Sequence, residues 1–131
     1  MQYLKENVEQ RLLAAAREVF LRDGFARSSV RDIAAASGVA TGNLYRYYSG
    51  KDALFRAVLR PVTDAFETML HEHHGSSALD VSEMFSERYL RATIDEYLAL
   101  FHARRPLLQL LLQCAQGSSL EHFRRHYTLR A

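Results

Sequence analysis

Hydrophobic positions recur at helical spacing along almost the whole chain. Val8, Leu12, Ala15, Ala16, Val19 and Phe20 form one stripe at intervals of mostly three and four. That stripe predicts a first helix from near Leu4 to Asp23, closed by Gly24, with Phe25 folding back on its last turn. Val30, Ile33, Ala34 and Ser37 share a face in the next segment, and Leu44 and Tyr48 lie four apart in the one after. A long helix is expected from Lys51 to His71 or beyond, kinked or broken near Arg60 because Pro61 removes a backbone donor. His73 to Ser77 reads as a loop. A single helix over residues 81–103 takes Met84, Phe85, Tyr89, Ile94, Tyr97, Leu98 and Phe101 as its apolar side. Pro106 opens a further helix to about Gln116, at a position where proline is favoured. Gly117, Ser118 and Ser119 interrupt it, and a last helix covers residues 120–129. No strand-like alternation is present. The fold class is therefore all-α: an amino-terminal three-helix unit over residues 1–50, then part of a helical bundle over residues 51–131.

The segment from Gly24 to Leu54 is the most specific part. Ser29 is a good N-cap, and Asp32 three positions on can answer it as a capping box. Ala34 is small where two helices cross closely. Gly38 reaches left-handed angles at little cost and permits a tight turn. Val39 plugs the corner. Two short helices joined by a glycine turn form the helix-turn-helix pattern, whose second helix enters the major groove of DNA.

The exposed side of that second helix carries the candidate chemistry. Thr41, Gly42 and Asn43 form its first turn, the part of a recognition helix nearest to base edges. Gly42 lets the backbone come close. Asn43 matches an adenine edge, and Thr41 matches a base or a thymine methyl. Arg46 suits guanine or phosphate, and the hydroxyls of Tyr45 and Tyr47 suit phosphate oxygens. Tyr48 belongs to the core, and Tyr45 and Tyr47 cannot both share its face, because neighbouring helical residues point about 100° apart. Lys51 begins the following helix, where backbone N–H groups also favour an anion. Ser28, Ser29 and Arg31, at the start of the preceding helix, are placed to clamp the other strand.

Charge agrees weakly with this picture. The chain of 131 residues has a net charge of +2 and is 48% hydrophobic, enough to bury a real core. Residues 1–60 hold 10 Lys+Arg against 6 Asp+Glu, and the remainder holds 7 against 9. A basic leading part and a mildly acidic remainder suit a DNA-binding head on a different kind of body. The single cysteine, Cys114, forbids an internal disulfide and fits a reducing compartment. With no leader pattern and no apolar run long enough to span a bilayer, the expectation is a cytoplasmic protein without a membrane partner.

Other chemistries fit poorly. His71, Glu72, His73 and His74, and His122 with His126, have histidine at suggestive spacing but lack a complete ligand set, so no metal is expected. Cys114 sits in a leucine-rich helix, and no nucleophile and base are placed together. No enzyme activity and no cofactor are therefore expected.

These residues resemble the DNA-binding domain of the TetR (tetracycline-repressor) family of bacterial transcription regulators. The resemblance rests on AAREVFLRDGF, SSVRDIAAASGV and GNLYRYYSGKDALF and runs from about Arg11 to Arg60. It implies base or backbone contacts from Arg31, Thr41, Gly42, Asn43 and Arg46, and phosphate contacts from Ser29, Tyr45, Tyr47 and Lys51. Ala40 departs from the serine often found before the recognition helix. Gly50 stands where a polar cap is common, and Ser49 with Asp52 would supply a shifted one. By the same resemblance the body surrounds an unknown small-molecule effector, with Phe66, Met69, Met84, Phe85, Tyr89, Tyr97, Phe101 and Leu108 as candidate lining. Family members generally continue for further helices that build a dimer interface. The chain is therefore expected to be truncated, and to be a homodimer when those helices are present. The implied function is a repressor released from a pseudo-palindromic duplex operator by its effector. The alternative is a helical ligand-binding or protein-interaction module that has lost DNA binding.

Overall fold

The computed structural model describes residues 2–74 and 81–130, and among these it contains helices and no strand. Eight helices follow in order: α1 (Gln2–Arg27), α2 (Val30–Ser37), α3 (Thr41–Tyr47), α4 (Lys51–His74), α5 (Val81–Met84), α6 (Glu87–Ala103), α7 (Arg105–Gln113) and α8 (Phe123–Arg130).

The α1 stripe packs as its spacing requires, with Leu12, Ala16, Val19 and Phe20 almost fully buried. Gly24 adopts φ 76° and ψ 165°, which ends the regular helix. One further turn follows and brings Phe25 into the core. There Phe25 meets Phe55 edge-on at 5.0 Å between ring centres, and Phe55 meets Phe20 at 4.9 Å. Such aromatic contacts add to simple area burial by about 0.5–1.5 kcal/mol each. The same core takes Ile33 and Ala34 from α2, Leu44 from α3, Leu54, Val58, Leu59 and Val62 from α4, and Leu107, Leu108, Leu110 and Leu111 from α7. One continuous apolar cluster therefore runs through the leading helices and into α7.

Pro61 does not break α4, which is continuous from Lys51 to His74. The residue is exposed, and Ala57, whose carbonyl loses its donor, is half-buried and outside the core cluster. The helix also runs past His73, later than the loop expected from that residue. The rest of that loop lies outside the described residues.

The single helix expected over residues 81–103 is two. Ser86 divides them. Its Oγ accepts the Tyr89 amide at 3.2 Å and donates to the Glu83 carbonyl at 2.7 Å, capping α6 and closing α5 at once. The apolar side of α6 is divided as well. Tyr89 and Tyr97 are half-buried, whereas Leu90, Ile94, Leu98 and Phe101 are exposed, and α6 has no fully buried residue. The α7 helix ends at Gln113, three residues before the expected Gln116. The Cys114 carbonyl that follows it accepts the Phe25 amide instead of continuing the helix. The last helix starts at Phe123, later than residue 120, because Ser118 to Phe123 forms a run of tight turns.

Candidate nucleic-acid interface

Two caps and one glycine fix α2. Ser29 Oγ accepts the Asp32 amide at 3.0 Å, as the N-cap spacing requires. At the other end Gly38 takes φ 70°, and its N–H reaches back to the carbonyls of Ala34 and Ala35. The sequence gives no hint of one more partner: Arg11 Nη2, from α1, donates to the Ser37 carbonyl at 2.8 Å. A Cβ on Gly38 would lie 2.9 Å from that same nitrogen and would displace the Arg11 guanidinium, while the positive φ is what calls for glycine. Arg11 stands 26 residues from Ser37, and only the folded crossing of α1 and α2 brings them together.

The α3 helix hangs on one anchor. Leu44 is fully buried, and Val39 fills the corner before it. Around that anchor Thr41, Gly42, Asn43, Tyr45 and Arg46 are all exposed. Arg31, on α2, is exposed too, and Ser29 is half-buried at its cap. Tyr47 and Tyr48 are half-buried and pack against the core. Burial raises the Tyr48 hydroxyl pKa, helped by the Glu9 carboxylate and opposed by Arg60. The expected assignment of Tyr48 to the core therefore holds in part, and Tyr47 shares it. Ala40 makes no side-chain cap to α3, as its identity implies.

Lys51 is committed to the protein's own backbone. Its Nζ donates to the Phe25 carbonyl at 2.8 Å and to the Ser28 carbonyl at 3.0 Å, and stands 4.3 Å from the centre of the Phe25 ring. Of three ammonium N–H groups, one is left over for an outside acceptor. Ser28 Oγ donates to the same Phe25 carbonyl at 2.8 Å, which makes Ser28 a buried structural residue. Asp52, expected to answer Ser49 in a shifted cap, spends a carboxylate oxygen on the Ser119 amide at 2.8 Å.

The expected effector residues are dispersed. Leu108 and Met69 are buried. Phe85 and Phe101 are exposed and line no interior. Met84 is half-buried. Tyr89 meets the ring of His73, whose Nδ1 and Nε2 lie 3.0 Å from Tyr89 Oη and 2.6 Å from Glu96 Oε2. Phe66 and Tyr97 are brought together, in a ring cluster with Phe123 and Tyr127. At its centre the hydroxyls of Tyr97 and Tyr127 share a hydrogen bond of 2.6 Å. Burial, and then that bond, hold the Tyr127 pKa above its ordinary value. No described helix is long and apolar enough to cross a membrane.

The geometry agrees with comparisons to known proteins. Residues 12–58 match the profile of the bacterial regulatory proteins, tetR family. The chain is 34% identical over 97 residues to the HTH-type transcriptional repressor Rv3405c of Mycobacterium tuberculosis, covering 71% of this chain and 50% of that protein. It is 34% identical over 59 residues to the HTH-type transcriptional regulator UidR of Escherichia coli, covering 45% of this chain and 30% of the other. Among solved structures it is similar to native NalD of Pseudomonas aeruginosa, the secondary repressor of the MexAB-OprM multidrug efflux pump. That likeness has a TM-score of 0.67 at 25% identity and covers 95% of this chain and 64% of NalD. The chain thus spans about half the length of the first of these relatives. Its helix-turn-helix segment, residues 12–58, is that of the tetR family of bacterial regulatory proteins.

Proposed function

We propose that the chain is a DNA-binding transcriptional regulator of the repressor kind. Its head, residues 1–50, reads a duplex operator, and its body, residues 51–131, answers a small molecule. One observation carries this: α3 holds a single buried anchor, Leu44, and turns Thr41, Gly42, Asn43, Tyr45 and Arg46 outward together. Any surface helix is divided in this way, and what points to a groove is the make-up of the open side: small, amide, phenolic and cationic groups within one seven-residue helix. Thr41, Gly42 and Asn43 meet base edges, Arg46 meets guanine or phosphate, and Arg31 meets bases or backbone. Ser29, Tyr45, Tyr47 and the remaining N–H of Lys51 hold phosphates.

One seven-residue helix reads few base pairs. Two copies on a pseudo-palindromic operator supply the rest, so a homodimer is the acting form. The effector acts by favouring one separation of the two heads over another. The name of the Mycobacterium relative supports the sign of regulation.

Selection of duplexes from a random pool, followed by mobility shifts at several salt concentrations, tests the proposal. Enrichment of a common, inverted-repeat sequence is expected. Failure to enrich any duplex at low salt would leave the interaction-module alternative standing.

A further inference from the structure

The turn between α7 and α8 is bonded to the reading head at Phe25 and to the first turn of α4 at Asp52. The Phe25 amide donates to the Cys114 carbonyl at 2.9 Å, and the Ser119 amide donates to Asp52 Oδ1 at 2.8 Å. Between these bonds Gly117, at φ 86°, faces Phe25 and Ala26, and a Cβ placed on it would lie 3.8 Å from both side chains. Phe25 passes the connection on. Its carbonyl accepts from Lys51 Nζ, from Ser28 Oγ and from the Ser28 amide, and Ser28 immediately precedes the α2 cap. The end of α7 is thus linked through a short series of hydrogen bonds to the first residue of the helix-turn-helix.

Asp52 is the informative member. It stands in the first turn of α4, beside Lys51, at the rim of a surface meant for phosphates. A carboxylate there repels phosphate, so phosphate binding alone gives no reason for it. The Ser119 amide does. We propose that Asp52 is a positioning residue for DNA binding: by holding the α7–α8 turn it fixes the angle at which α2 and α3 are presented. The proposal rests on the DNA-binding reading above. A head free to rock on α4 must be ordered again each time it binds, and that ordering cost is charged against affinity. The same bonds give the body a direct mechanical route to the head, through α7.

Two variants remove the bond from opposite sides. Asp52→Ala deletes the acceptor. Ser119→Pro removes the donor and sets the ring Cδ where the N–H pointed, so that the Asp52 carboxylate must turn away, at a position where the chain itself tolerates proline. Ser118 acts there as a cap, its Oγ accepting from Leu120 and its carbonyl from Glu121, so residue 119 is the first of a helical turn. Asp52→Asn removes the charge but keeps an oxygen to accept the amide. The probe is a labelled duplex selected from a random pool by the wild-type chain.

Asp52→Ala and Ser119→Pro should each weaken binding by about tenfold, the order of one charge-assisted hydrogen bond, with the salt dependence unchanged. The double variant should lose no more than either single one. Asp52→Asn should bind as well as wild type or better. Amide exchange at Phe25 should quicken in both bond-breaking variants. Charge alone makes the opposite prediction, that both Asp52 variants tighten binding. Wild-type or tighter affinity for Asp52→Ala and Ser119→Pro, with unchanged exchange at Phe25, overturns the proposal. Should Asp52→Ala fail to fold, Ser119→Pro decides by the same two readouts. A wild-type chain that selects no duplex sinks the DNA-binding reading instead, and the exchange measurement still decides whether the bond holds Phe25.

Discussion

Asn43 and Leu44 are neighbours with opposite tasks. Leu44 is fully buried and fixes where α3 lies, while Asn43, one position earlier, is exposed in the first turn. The two substitutions should therefore fail differently. Asn43→Ala removes a side chain able to pair two-point with an adenine edge. It should cost about 1–3 kcal/mol of discrimination at one base of the selected operator and leave stability unchanged. Binding to random duplex should scarcely move. Equal losses on selected and random duplex would assign Asn43 to the backbone instead. Leu44→Ala should lower the melting temperature, because a large-to-small change at a fully buried site costs about 2–5 kcal/mol. Lys51 belongs between these extremes. Two of its N–H groups serve the Phe25 and Ser28 carbonyls, so its removal should affect both stability and affinity.

Helices were legible in the sequence wherever one local signal settles the matter. Ser29 and Gly38 mark the ends of α2, Leu44 marks the buried side of α3, and the α1 stripe packs as spaced. The failures share a physical cause. Ser86 looks like an ordinary helix residue until its hydroxyl is seen to bond Glu83 and Tyr89 at once. The early end of α7 depends on Phe25, some ninety residues away in sequence, whose amide takes the Cys114 carbonyl. Arg11, Lys51 and Asp52 look like surface charges, and each is engaged by a backbone group from a distant element. Pro61 lacks a donor, but exposure decides how much that matters. Proline in a helix interior costs about 3 kcal/mol relative to alanine. Pro61 lies in an unbroken α4 at an exposed position, so Pro61→Ala should stabilise the chain by a measurable part of that amount. Thermal melting checks it. An unchanged or lower melting temperature would mean that α4 is shaped around the proline.

At the scale of the whole molecule, charge is too evenly spread to bind nucleic acid by itself. The net charge of +2 gives little general attraction to DNA, so affinity must come from a few placed cations. Those on the proposed reading surface are Arg31, Arg46 and the partly engaged Lys51. Each phosphate neutralised on duplex DNA contributes about −0.9 to the slope of log affinity against log salt. Three cations on one copy give a slope of at most about −2.7, and two copies on one operator at most about −5.4. The body bears on which of these holds. Leu90, Ile94, Leu98 and Phe101 leave one side of α6 apolar and exposed, so the described residues alone do not account for that surface. A slope near −5 on the selected duplex, with two copies bound per duplex by sedimentation, would identify the dimer as the reading unit. A slope near −3 with one copy bound would make each head an independent reader of a half-site. The paired half-sites would then have to be brought together by chain or partner surface outside the described residues.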